Sequence, residues 1–232
     1  MTGKMEYDLM RLWRYLALCA ALVAPTANAA YELRVSEIWM GNEPGENLTD
    51  DWFEVTNFGD SAWTSADGTL FFDDDSADAT AADALFGVDA IGPGESVVFV
   101  DGNAGVGGLN LALWHSVWDP ALSSAGRAVP QVGSYEGSGL GQGGDGVALF
   151  LDVDGGDVAP EDLLGTWTYP DSNANGGQSY DPLLHVFSLE IATDLNDMGQ
   201  PAIGTPGWSS VPEPASLLLA IAGLSAVARR RR

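Results

Sequence analysis

Lysine is almost missing from this chain. Its 232 residues include nine Lys and Arg against thirty-three Asp and Glu. Seven of the nine, Lys4, Arg11, Arg14 and Arg229 to Arg232, crowd the two ends. Between Tyr31 and Val211 only Arg34 and Arg127 stand against thirty acids, a net charge of −28. Such a region lacks the clustered cations that neutralise phosphate, which excludes nucleic acid and an anionic membrane surface as its partners. High solubility and attraction to cations follow from the same charge. The one cysteine, Cys19, precedes that region, so it holds no disulfide and no thiol nucleophile, and with no lysine it has no side-chain amine nucleophile. Its two histidines, His115 and His185, have no partner at an H-x-x-x-H spacing. Ser36, Ser96, Ser134 and Ser179 lack the G-x-S-x-G elbow.

Long apolar runs are confined to the ends as well. Arg11 and Arg14 lead into the apolar run Tyr15 to Val23, Pro25 breaks it, and Ala27 and Ala29 set small residues where a signal peptidase reads. Nine apolar residues reach about 14 Å as a helix, too short for a bilayer core, so residues 1–29 read as a cleaved signal helix. Met10 offers an alternative start with a tighter basic region. At the other end Pro212-Glu213-Pro214 precedes an apolar stretch, Ala215 to Ala228, and then Arg229, Arg230, Arg231 and Arg232. That stretch spans about 21 Å as a helix, marginal for a stable crossing and suited to a transient anchor. The four arginines hold its end at the cytoplasmic face. Residues 211–232 closely resemble the PEP-CTERM sorting signal of Gram-negative bacteria. The resemblance implies recognition by an exosortase, removal of the tail, and transfer to the cell surface or extracellular matrix.

The middle, residues 30–210, is long enough for one core of ordinary size. Short apolar or alternating runs bounded by Gly, Pro, Asn or Asp predict strands over 33–40, 51–57, 69–72, 96–101, 111–118, 147–152, 166–169 and 185–191. In the second, Phe53 and Val55 share one face and Trp52, Glu54 and Thr56 the other. Segments 73–84 and 171–177 read as polar loops. The expectation is an all-β, two-sheet antiparallel sandwich.

Several short segments are similar, in order, to the lamin-tail domain: Val35-Ser36-Glu37-Ile38, Asp51-Trp52-Phe53-Glu54-Val55-Thr56-Asn57, Ile91 to Val98, Gly143 to Leu149, Gly177-Gln178-Ser179-Tyr180 and Thr205-Pro206-Gly207. The resemblance covers residues 33–208 and implies an immunoglobulin-like sandwich with a binding or scaffolding role.

For chemistry, Glu37 and Glu54 are either structural, bonding neighbouring amides, or a general acid and base for glycoside hydrolysis, which needs two carboxyls about 5 to 9.5 Å apart. Asp73, Asp74 and Asp75, and separately Asp152, Asp154 and Asp157, cluster the hard oxygens that calcium takes about six to eight of. The second cluster departs from an EF-hand loop, with Asp157 where its glycine belongs and Leu163 where its glutamate belongs. Solvated acidic loops account for both clusters equally. Seven tryptophans after Trp13 serve either core packing or sugar stacking. The reading is an exported, non-enzymatic surface or matrix protein, processed by signal peptidase and exosortase, with exopolysaccharide or a surface protein as its partner. Its rivals are a calcium-dependent adhesion or glycan-binding module and a carboxylate-based polysaccharide hydrolase.

Overall fold

A computed structural model describes residues 30–41, 50–102, 109–194 and 199–209. The signal helix, the apolar tail and the residues assigned to both processing events, Ala27, Ala29, Pro212 to Pro214 and Arg229 to Arg232, lie outside these. In chain order the elements are β1 (Leu33–Trp39), β2 (Trp52–Asn57), β3 (Trp63–Thr64), β4 (Thr69–Asp73), β5 (Asp83–Phe86), β6 (Ala90–Ile91) and β7 (Ser96–Asp101). Helix α1 (Leu109–Ser124) follows, then β8 (Gln131–Tyr135), β9 (Asp145–Asp152) and β10 (Leu163–Tyr169). The short strands β11 (Tyr180–Asp181), β12 (Val186–Phe187), β13 (Ile191–Ala192) and β14 (Ile203–Gly204) complete the set.

The expected all-β character holds, with one helix set into it. Ten strands form one hydrogen-bonded sheet in the order β10-β9-β4-β5-β8-β7-β2-β1-β11-β12, flanked by the pairs β3–β6 and β13–β14. The sheet curls, bringing β1 against β9 and β10. Inside the curl lies a core of Val35, Ile38, Phe53, Val55, Phe72, Phe99, Leu149 and their neighbours. Its aromatic centre joins Phe53 to Phe72 at 5.1 Å and Phe72 to Tyr135 at 4.6 Å between ring centroids.

Two departures from the sequence reading matter. Residues 111–118, expected as a strand, belong to α1. Trp114, Trp118 and Leu122 recur every four residues, which on a helix is one face, and all three are fully buried. Pro120 sits inside the helix in its last turns, where little helix follows to be broken. Gly126, at φ +69°, ends the helix: it donates to the Ser123 carbonyl at 3.0 Å while Arg127 donates to Leu122 at 2.8 Å, a Schellman closure. Second, β7 and β8 pair in parallel, because α1 carries the chain back across the sheet between them. The other ladders of the large sheet are antiparallel.

Helix α1 buries the outer face of β2 and β7. Trp39, Trp52, Trp114 and Trp118 pack there with Val98, Val100 and Leu122. Trp52 meets Trp118 edge-on at 5.7 Å and stacks beside Trp39 at 6.3 Å. Both faces of β2 are therefore interior. That explains why Glu54, on the face shared with Trp52 and Thr56, is sealed from water.

Candidate functional site

Val35 pairs with Val55, but the next pair across β1 and β2 is Glu37 with Glu54, so Ser36 and Glu37 together oppose one residue. This is a β-bulge, which re-aims the side chains beyond it. Without it Glu37 would follow Val35 into the apolar core. With it, Ile38 takes the inward place and Glu37 turns to the side of Glu54. Residues paired across a ladder hold their Cβ atoms about 5 Å apart, so two carboxyls meet. Glu37 is 2% exposed and Glu54 0%.

The donors come from three stretches of chain, around Ser36, Ser179 and Thr205 to Gly207. Glu37 Oε1 accepts from the Ser179 hydroxyl and from the Thr205 amide at 2.6 Å, and Oε2 accepts from the Thr205 hydroxyl at 3.1 Å. Glu54 Oε1 accepts from the Ser36 hydroxyl at 2.6 Å, and Oε2 accepts from the Gly207 amide at 2.5 Å. Ser36, Thr56 and Ser96 continue the chain of hydroxyls across β1, β2 and β7 at 2.7 and 2.5 Å. Neither carboxyl has a cationic partner: among the described residues the ion pairs are Arg34–Glu32 and His115–Asp119. Burial first, then the charge of Glu54, raises Glu37 to about 8 from an ordinary 4.5, with the bonds from Ser179 and Thr205 opposing. Burial likewise raises Glu54 to about 7, against the bonds from Ser36 and Gly207.

The segment held by this pair is built to approach it. A Cβ added at Gly204 would meet Glu37 Oε1 at 2.9 Å and the Trp118 ring at 3.0 Å. Thr205 to Trp208 form a tight turn, closed by the Trp208 amide on the Thr205 carbonyl at 3.1 Å. Proline second and a left-handed glycine third, Gly207 at φ +86°, match a type II turn. Three short sequence signals, V-S-E-I, D-W-F-E and T-P-G, are thus parts of one clasp, and the Ser179 of a fourth completes it. Asn57, from the same strand as Glu54, is structural: its side-chain amide donates to Ser61 and Ile91 carbonyls at 2.8 and 2.9 Å, and its oxygen accepts from the Glu32 and Gly59 amides.

Beyond the clasp lies a groove of about 350 Å³ between β12 and the Thr205–Trp208 turn, with Glu37 at its floor. Trp208 forms part of its wall, with the Arg127 guanidinium 4.5 Å from its ring centroid. Nothing in the sequence brought β12 and Trp208 together.

The aspartate clusters stand apart. Asp73 and Asp152 lie at opposite ends of the β4–β9 ladder. Asp73 accepts from the Ser76 hydroxyl and the Asp78 amide, each at 2.7 Å, and Asp74 from the Ser76 amide at 2.9 Å. Asp152 accepts from the Asp154 and Gly155 amides at 3.0 and 2.9 Å, and Asp154 from Gly156 at 3.1 Å. These are turn bonds. The Asp75 amide reaches Asp145 at 3.4 Å, and Asp157 lines a separate shallow cleft with Thr80. Among the described residues no three His, Cys, Asp or Glu side chains gather as a metal-holding group. His115 bonds Asp119 one helical turn away, and His185 approaches the Tyr180 hydroxyl. Five tryptophans are buried as packing, while Trp167 is half-buried and Trp208 exposed.

Residues 210–232 match the family model of the PEP-CTERM protein-sorting motif. No curated protein and no solved structure matches the chain. The motif begins two residues beyond Trp208, where the described fold stops. The chain therefore carries a C-terminal signal for sorting through an exosortase system to the cell exterior.

Proposed function

We propose that residues 30–209 form a non-catalytic surface or matrix module, exported under a cleaved signal and released from a membrane-held tail by an exosortase. The carrying observation is the sorting motif at 210–232, joined directly to a clasp that fastens Thr205 and Gly207 to the sheet. The clasp leaves a defined boundary between folded domain and removable tail. A structural role for Glu37 and Glu54 is supported by their burial and by the donors that occupy both oxygens of each carboxyl. A lamin-tail-like arrangement is supported by the way the resembling segments supply the clasp. We read the module as a scaffold or binding domain for exopolysaccharide or a surface protein.

The test is intact mass and location in the native host. The reading expects a species in the extracellular or surface fraction that has lost residues 1–29 and the tail. A species retaining Arg229 to Arg232 in the inner membrane overturns it.

A further inference from the structure

Strand β12 is the outermost strand at one edge of the large sheet, and its surroundings are unusually apolar. Ten large hydrophobic side chains are exposed among the described residues, and four of them, Leu184, Val186, Leu189 and Trp208, line the one groove at the chain's exit. Leu189 is 78% exposed, the most of any, and Leu184 and Val186 are 46% and 49% exposed. A contiguous apolar rim of this kind marks a contact surface, whereas scattered exposed leucines need no account.

What lies opposite that rim is set by the tail. The apolar stretch that would enter the membrane starts at Ala215, seven residues beyond Trp208. Seven residues reach at most about 24 Å when fully extended. A chain held by that stretch keeps the groove within this distance of the lipid. We propose that this groove is a docking surface for the bilayer itself, seating the domain on the lipid while its tail awaits removal. The inference rests on the membrane-held tail of the proposed function.

The chemistry fits an uncharged lipid surface. Trp208 offers an aromatic body and an indole N–H, the combination that favours the headgroup level. Arg127, one of two cations between Tyr31 and Val211, stands over its ring and can meet a phosphate. The groove's acids are turned to other work or oppose only anionic lipid. Asp181 accepts from the Leu183 and Leu184 amides at 2.8 Å, Glu37 belongs to the clasp, and Glu190 faces solvent. A few interfacial side chains bind weakly alone, but a short tether supplies an effective concentration near the millimolar range. Removal of the tail then removes the tether and the docking together.

The test uses the exported chain with its tail, mixed with phosphatidylcholine vesicles that carry brominated acyl chains. Trp208 is one of seven tryptophans in that chain, so docking should quench up to about a seventh of the emission. Leu184→Asp combined with Leu189→Asp should abolish the quenching while the chain still floats with the vesicles. Vesicles rich in phosphatidylglycerol should quench less at low salt. Flotation without quenching, or quenching that survives the double substitution, overturns the docking and leaves the sorting reading intact. Failure to float overturns both. A concentration-dependent dimer without vesicles, lost in the double variant, would assign the groove to a second copy and overturn the lipid assignment.

Discussion

Raising the pH from 5 to 8 should weaken this domain, and the clasp is the reason. Glu37 and Glu54 hold their protons more tightly folded than unfolded, at about 8 and about 7 against 4.5. Their contribution is therefore full below about 4.5 and is lost as the pH climbs through 7 and 8. Each unit of difference corresponds to about 1.4 kcal/mol. Across the window the loss reaches several kcal/mol, a large share of the roughly 5–15 kcal/mol that holds a domain folded. With a urea slope of about 2 kcal/mol per molar, the unfolding midpoint should drop by roughly 2 M. General repulsion among the acidic side chains does not mimic this, because ordinary carboxyls are already ionised above about pH 5. The assay is urea unfolding at fixed ionic strength and four pH values, on the exported chain and on Glu37→Gln with Glu54→Gln. The double variant resembles the protonated pair and should show a nearly flat midpoint over the same window. A midpoint in the parent chain that is flat or rises between pH 5 and 8 would refute the burial argument.

Two further outcomes follow from the same geometry. Gly207→Ala forces a side chain into left-handed backbone and against the Pro130 ring at 3.1 Å; the melting temperature should fall by an amount equivalent to about 1–3 kcal/mol, with Glu54 losing its amide donor. Asp73→Ala removes the acceptor of Ser76 and Asp78 and should cost about 1–3 kcal/mol equally in EDTA and in millimolar calcium, whereas a cost that appears only with calcium would make Asp73 a metal ligand.

Most of the long strands were legible because their apolar residues alternate between turn signals: β1, β2, β4, β7, β9 and β10 all fall within two or three residues of the runs read from sequence. Strand β8 was not, since Gln131-Val132-Gly133-Ser134-Tyr135 carries little apolar signal and owes its place to pairing with β7. Gly133 serves a contact there, its Cα hydrogens facing the Phe86 carbonyl and the Phe99 ring with no room for a Cβ. Helix α1 was misread because an apolar run of eight residues dense in Leu and Trp satisfies either period. At the clasp, both glutamates stood out as acids set beside large apolar residues in the first two strands. Ser179, Thr205 and Gly207 stood out only as parts of separate motifs, because they lie more than a hundred residues away and only the fold brings them to the glutamates. The bulge left one trace, the step of three from Val35 to Ile38 where alternation requires two.

The clasp also sets an order of events. Its bonds join residues 142, 168 and 153 positions apart, so no fragment from the first half of the chain makes them. A polypeptide crossing a membrane with its N-terminus ahead brings β1 and β2 out early, with two carboxyls that still lack the donors of Ser179, Thr205 and Gly207. Closing a loop of that length is slow, and the contacts it rewards arrive last. The sheet thus reaches its final form only when Thr205 to Gly207 emerge, a few residues before the sorting motif follows them. Completion of folding is timed to the end of transport, and a chain stalled partway keeps its most water-seeking side chains unburied.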